Sequence, residues 1–154
     1  IAGFLHPTEG NIFWHGEALE NLSVEQRPVS MLFQDHNLFE HITAAENLQL
    51  GFSGPAPTDR ILEASRELGV EKQLNKYPRS LSGGQRQRIG LIRTLLRPEP
   101  LVLLDEPYAE LDPQTRKIAA QWTRRIAKST DKTLLLVTHH DEDVEHAADR
   151  CLIL

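Results

Sequence analysis

The sequence predicts an α/β fold organised around a parallel sheet, on three observations. Leu101-Val102-Leu103-Leu104 is a short unbroken apolar run, the pattern of a strand covered on both faces in a parallel sheet. A second apolar run occupies residues 133–137. Helical spacing marks the stretches between: Ile89, Ile92 and Leu96, with Leu91 and Leu95 beside them, keep a three-and-four period, and Ile118, Trp122 and Ile126 fall at i, i+4 and i+8. Strands alternating with amphipathic helices are the signature of this class.

The stretch that carries chemistry runs from Leu81 to Asp112. Ser82 with Gln85 three residues on forms a capping-box pattern for a helix start. Gly83 and Gly84 between them leave backbone N–H groups uncovered at the positive end of a helix dipole, an arrangement that suits a phosphate. Arg86, Gln87, Arg88 and Arg93 take positions off the apolar stripe, and Pro98 and Pro100 stop the helix. The strand that follows ends in Asp105-Glu106-Pro107, at the strand end where α/β sheets bind ligands. Two adjacent carboxylates there suit a pair of tasks. The first can hold Mg²⁺, which prefers one or two carboxylates plus substrate phosphate; the second can polarise an attacking water. Asp-Glu-Pro alone reads as a strand ending in a polar turn; Leu-Ser-Gly-Gly-Gln upstream in the same short window favours the catalytic reading.

That order of motifs resembles the ATPase subunit of ABC transporters, and the resemblance covers essentially the whole chain. It implies a P-loop NTPase (RecA-like) core with an inserted helical subdomain, here incomplete. Residues 1–34 would be part of the core, 35–97 the helical subdomain with the signature motif, and 98–154 the rest of the core. Leu81, Ser82, Gly83, Gly84 and Gln85 match the signature motif, which acts on the nucleotide of a partner subunit. Residues 101–105 match the Walker B strand, Glu106 the catalytic glutamate and Asp112 the D-loop. Asp112 also has a complete structural account as a helix cap followed by Pro113 at the favoured first position.

By the same resemblance Gln34, at the end of a strand over residues 29–33, is the Q-loop glutamine that contacts Mg²⁺ together with Asp105. Without the resemblance, Gln34 reads as a polar strand-edge residue. His139 is the switch histidine that touches the γ-phosphate, in preference to His140. The phosphate-binding loop G-x-x-x-x-G-K-[ST] does not occur in these residues. An isolated polypeptide of these 154 residues is accordingly expected to bind and hydrolyse no ATP, and to expose apolar surface on its strands. Ile1-Ala2-Gly3-Phe4-Leu5 reads as the end of an apolar helix already under way, and residues 151–154 as a strand cut off; both suggest a longer protein.

Elsewhere the pattern is local. Residues 7–10 form a turn and 11–15 a short strand closing at Gly16. Thr43 can cap a helix from Ala44, residues 51–57 form a Gly/Pro loop, and Thr58-Asp59 can start a helix with Ile61, Ser65 and Leu68 on its apolar face, stopping at Gly69. Leu38, Phe39 and Ile42 are candidate contacts for a membrane partner, or ordinary helix packing.

Composition narrows the function classes. With 154 residues, 40% hydrophobic and 25% charged, the chain holds one core, and a net charge of −5 without a basic stretch argues against a nucleic-acid partner. A single cysteine, Cys151, excludes an internal disulfide framework. Residues 139–146 are rich in His, Asp and Glu, but Asp141, Glu142 and Asp143 are what a helix N-terminus favours, and no ligand spacing completes a tetrahedral metal set. His6, His15, His36 and His41 read as solvated residues.

The expectation is therefore an ATP- and Mg²⁺-dependent ATPase subunit working as a homodimer or paired with another ATPase subunit. Its partners would be transmembrane permease subunits and, indirectly, a periplasmic solute-binding protein, at the cytoplasmic face of the inner membrane. Residues 27–39 are similar to the Q-loop region of ATPase subunits of bacterial thiamine importers, which suggests thiamine or its phosphates as cargo. Importers of polyamines, iron or sulfate share the class, and ABC ATPases without membrane partners share the core. No long coiled-coil insertion, zinc-type Cys pair or basic stretch points to the latter.

Overall fold

The computed structural model describes residues 1–35 and 38–153. His36, Asn37 and Leu154 lie outside the described residues, and with them the reading of His36 as solvated and the last position of the 151–154 run. Two small sheets and five α-helices are described. A two-residue hairpin pairs β1 (Phe13–Trp14) with β2 (Glu17–Ala18). The main sheet is parallel, with β3 (Val29–Leu32) beside β4 (Leu101–Asp105) and β4 beside β5 (Thr133–Val137). Helices α1 (Ala44–Gln49), α2 (Thr58–Glu67) and α3 (Gly83–Leu96) lie between β3 and β4; α4 (Pro113–Ser129) joins β4 to β5, and α5 (Asp141–Ala147) follows.

Register explains which face is buried. Ser30, Val102 and Leu134 align across the sheet, as do Leu32, Leu104 and Leu136. This face joins Ile89, Ile92 and Leu95 of α3 and Ala119, Ala120 and Trp122 of α4 in one cluster, which continues to Leu48 of α1 and Ile61 of α2. On the other face Met31 and Leu103 are half-buried and Leu135 and Val137 exposed. Strand β4 is thus covered fully on one side and, Leu101 apart, only partly on the other, so the reading of residues 101–104 as covered on both faces is corrected, while the apolar surface expected on the strands is present at Leu135 and Val137. The side-chain period of two sends alternate residues to a face that no described element closes.

Four further expectations change. Residues 1–5 are not helical: Gly3 takes a φ of 97° and the Ile1 carbonyl accepts from Arg27 Nη1 at 2.6 Å. The strand read over residues 11–15 shortens to a hairpin arm, because His15 and Gly16, at φ 47° and 86°, make the two-residue turn that reverses the chain. Residues 151–153 form no strand. On α4, Trp122 is buried and Ile126 packs against the core as predicted, but Ile118 is exposed and Ala119, Ala120 and Thr123 complete the buried face. Small side chains carry much of that face, which is why counting large apolar residues misses part of it.

Candidate active site

The candidate residues lie at the ends of β3, β4 and β5 and at the start of α3, which packs against the 109–111 segment that follows β4. The sequence makes that helix start sharply. Ser82 Oγ accepts from the Gln85 N–H at 3.3 Å while Gln85 Oε1 accepts from the Ser82 N–H at 3.0 Å, closing the predicted box. Gly83 and Gly84 occupy the first two helical positions. A Cβ on Gly84 would lie 2.9 Å from the Glu110 carbonyl oxygen, and one on Gly83 would collide with the Glu110 carboxylate. The two glycines therefore permit close approach of the 109–111 segment, a packing role that spacing alone does not reveal.

Strand β4 delivers Asp105 and Glu106 to this end. Asp105 is half-buried and paired in register with Val137. Glu106 leaves the strand in a left-handed conformation, φ 45°, unusual for a residue with a side chain. Its N–H donates to the Val137 carbonyl at 3.0 Å and its own carbonyl accepts from Gln87 Nε2 at 2.9 Å. The Glu106 carboxylate is largely buried, and its Oε1 has no hydrogen-bond partner yet lies 3.5 Å from His139 Nε2. His139 itself is 89% exposed. A carboxylate shielded on the protein side, facing an exposed imidazole, can accept a proton from a group between them and solvent.

His140 sits apart from this pair, at the cap position of α5, and its N–H donates to Thr138 Oγ1 at 3.1 Å. Thr138 Oγ1 in turn donates to Asp143 Oδ2 at 2.6 Å, and Arg116 Nε stands 3.9 Å from Asp143 Oδ1. Asp143 is buried, so the acid read as a helix-start charge also ties down the turn that bears His139. Beneath it Tyr108 is fully buried, and burial pushes its phenol well above the usual tyrosine range.

Gln34 lies exposed just beyond β3, on the neighbour of the strand that carries Asp105. Among the described residues no group of three or more His, Cys, Asp or Glu could hold a metal ion. A carboxylate at the end of β4 and an amide just beyond the neighbouring strand are donor types that fit Mg²⁺, which takes few protein ligands and completes its shell with water and phosphate. Asp112 caps α4, its Oδ1 accepting from the Thr115 N–H at 3.1 Å, and bonding to Thr115 holds its carboxyl below the ordinary range.

The sequence reading also misses Gln87. It places this residue off the buried face of α3, whereas the side chain is buried and its Oε1 accepts from the Glu110 N–H at 2.8 Å. The one available signal is periodic: Gln87 lies four residues before Leu91, on the buried side of the helix.

A family model described as ABC transporter matches residues 1–109. The chain belongs to the ABC transporter family. It is 41% identical to the thiamine import ATP-binding protein ThiQ of Photobacterium profundum, over all of this chain and 66% of that protein. The corresponding protein of Cereibacter sphaeroides is 43% identical, over all of this chain and 69% of its own length. The chain thus spans about two thirds of the length of the relatives it matches. Among solved structures, the dimeric ATP-binding cassette MJ0796 in a post-hydrolysis state with ADP and Pi superposes with a TM-score of 0.82 at 27% identity, covering 96% of this chain and 70% of that one. The fold is that of an ABC ATPase cassette, as the sequence predicts.

Proposed function

We propose that the protein containing these residues hydrolyses ATP to power import of thiamine or its phosphates. The observation that carries the ATPase reading is the Glu106–His139 pair, 3.5 Å apart at neighbouring strand ends, with Glu106 Oε1 buried and without a hydrogen-bond partner. In a chain of this family a water between that carboxylate and a γ-phosphate is the reactant. Glu106 accepts the water's proton as its oxygen bonds to phosphorus, and the bond from phosphorus to the bridging oxygen breaks to leave ADP and phosphate. His139 contacts the γ-phosphate and orients the water. Asp105 and Gln34 hold Mg²⁺, which when bound neutralises charge on the phosphate oxygens.

The start of α3 does its work on a second subunit. Ser82 through its hydroxyl and Gly83 and Gly84 through their N–H groups face the nucleotide of the partner, either an identical chain or another ATPase subunit, and Asp112 lies on the same interface. Residues 35–97 form the helical subdomain that meets the permease, with residues 1–34 and 98–154 in the ATPase core. Closure of the two subunits then moves the membrane partner between its two states. No described helix is long and apolar enough to cross a membrane. The spanning partners would be separate permease subunits, with a periplasmic binding protein delivering solute. The ATPase would sit on the cytoplasmic side.

The names of the relatives at about 40% identity support thiamine as cargo. The test is uptake of labelled thiamine in a thiamine-requiring strain lacking the gene, complemented with the wild-type or the Glu106→Gln protein. Uptake restored by the wild type alone is expected. Uptake unchanged by deletion would reject thiamine, leaving the polyamine, iron and sulfate importers as the classes to assay next.

A further inference from the structure

We infer that Gln87 is a positioning residue for hydrolysis, fixing the main chain of Glu106 and the 109–111 segment to the helix that begins at Ser82. The inference rests on the hydrolytic reading of Glu106 given above. Gln87 is 1% exposed, and the two ends of its amide meet complementary partners: Nε2 donates to the Glu106 carbonyl and Oε1 accepts from the Glu110 N–H. Both partners are main-chain atoms of the turn that follows β4, reached from a helix some twenty residues earlier in the chain.

Glu106 needs such support. A left-handed φ at a non-glycine residue persists only where the surroundings over-determine it. Its N–H is held from β5 by Val137, and Gln87 holds its carbonyl from α3, joined by a longer bond from the Ala109 N–H at 3.3 Å. Without the Nε2 donor the peptide after Glu106 loses its one side-chain tether and can rotate, carrying the carboxylate away from His139. A buried amide is also a costly choice for packing alone, since an apolar side chain of similar volume would fill the site without desolvating polar atoms. Gln87 further ties the turn to the helix whose glycines touch Glu110, so the helix start and the Glu106 main chain share one rigid connection.

Two variants of the full-length protein separate the contributions. Gln87→Glu keeps an acceptor for the Glu110 N–H and, in its ionised form above neutral pH, removes the donor to Glu106; Gln87→Met removes both. Misplacing a reacting group by a fraction of an ångström to an ångström costs up to about a hundredfold in rate. The expected kcat for phosphate release falls about tenfold in Gln87→Glu and further in Gln87→Met, with KM for ATP within about twofold of wild type. Hydrogen exchange reads the positioning without turnover: amides of residues 106–111 should exchange at least about tenfold faster in Gln87→Met, with α4 amides unchanged. A kcat within about twofold of wild type in Gln87→Glu, or unchanged exchange at 106–111 in Gln87→Met, overturns the inference. Glu106→Gln in the same series separates the two claims. If that variant is inactive and Gln87→Glu is normal, only the positioning role fails; if Glu106→Gln retains turnover, the hydrolytic reading fails and takes the positioning role with it.

Discussion

Helices α1 and α3 begin with the same local device and differ in the two residues inside it. In α1 the box is Thr43-Ala44-Ala45-Glu46, in α3 Ser82-Gly83-Gly84-Gln85, and both close reciprocally. The α1 box supplies its own anion. Glu46 Oε2 accepts from both the Thr43 N–H and hydroxyl at 2.7 Å, and Thr43 holds its carboxyl below the usual range. Ala44 is fully buried, so that helix start is committed to packing. The α3 box ends in a neutral amide, has no acidic residue in its first turn, and uses glycines where α1 has alanines. The difference teaches that a capping box specifies where a helix begins, while the residues it encloses decide what can approach that start: Ala44 packs into the core, whereas Gly83 and Gly84 admit the Glu110 segment and, in the function proposed above, a partner's phosphate.

Converting one start into the other should produce the largest effect. Gly83→Ala with Gly84→Ala and Gln85→Glu gives α3 the α1 pattern, places a Cβ against the Glu110 backbone and a negative charge where phosphate is to bind. Turnover by the full-length protein should fall on the order of a hundredfold or more, the cost of losing a preorganised set of donors. ATP binding to the isolated subunit should persist. Turnover within about threefold of wild type would show that the two helix starts are functionally alike.

The histidines after β5 provide the next comparison. His139→Ala should reduce phosphate release on the order of ten- to a hundredfold, whereas His140→Ala, at the cap of α5, should stay within about twofold. Equal losses would mean that the 3.5 Å approach of His139 to Glu106 has no catalytic consequence.

On the α1 side the expected effects concern stability alone. Thr43→Ala should lower unfolding free energy by about 1 kcal/mol, read from the denaturant midpoint, and leave turnover per folded molecule unchanged. The smallest effect belongs to the exposed cap of α4. Because the Asp112 carboxyl is held below its ordinary range, its contribution is present at neutral pH and is lost as pH falls through that lowered value. Asp112→Asn should therefore lower stability slightly at pH 7 and converge with wild type in acid, which flattens the acid limb; an acid limb identical to wild type would contradict this.

Much of this architecture is legible in the sequence because it depends on local chemistry. The Ser82 and Thr43 boxes, the cap at Asp112 and the apolar runs of β4 and β5 each involve residues a few positions apart. What escapes is set by distant partners. Gln87 looks like one more polar residue among arginines until Glu106 and Glu110 are placed beside it. Asp143 looks like a helix-start acid until Thr138 and Arg116 meet it. The glycines of α3 invite an account in terms of phosphate, yet their contact with Glu110 lies within the same chain. Ile118 fails for a simpler reason: beside Trp122 the α4 stripe is completed by alanine and threonine, which the spacing of large apolar residues does not mark.

The central claim is that Glu106 serves as the proton acceptor for ATP hydrolysis. Its most direct test is nucleotide binding and phosphate release measured side by side on the full-length wild-type protein and on Glu106→Gln, which preserves shape but removes the base. Binding should match within about threefold while release falls on the order of 10² to 10⁴-fold. Release at the wild-type rate, with binding intact, would contradict it.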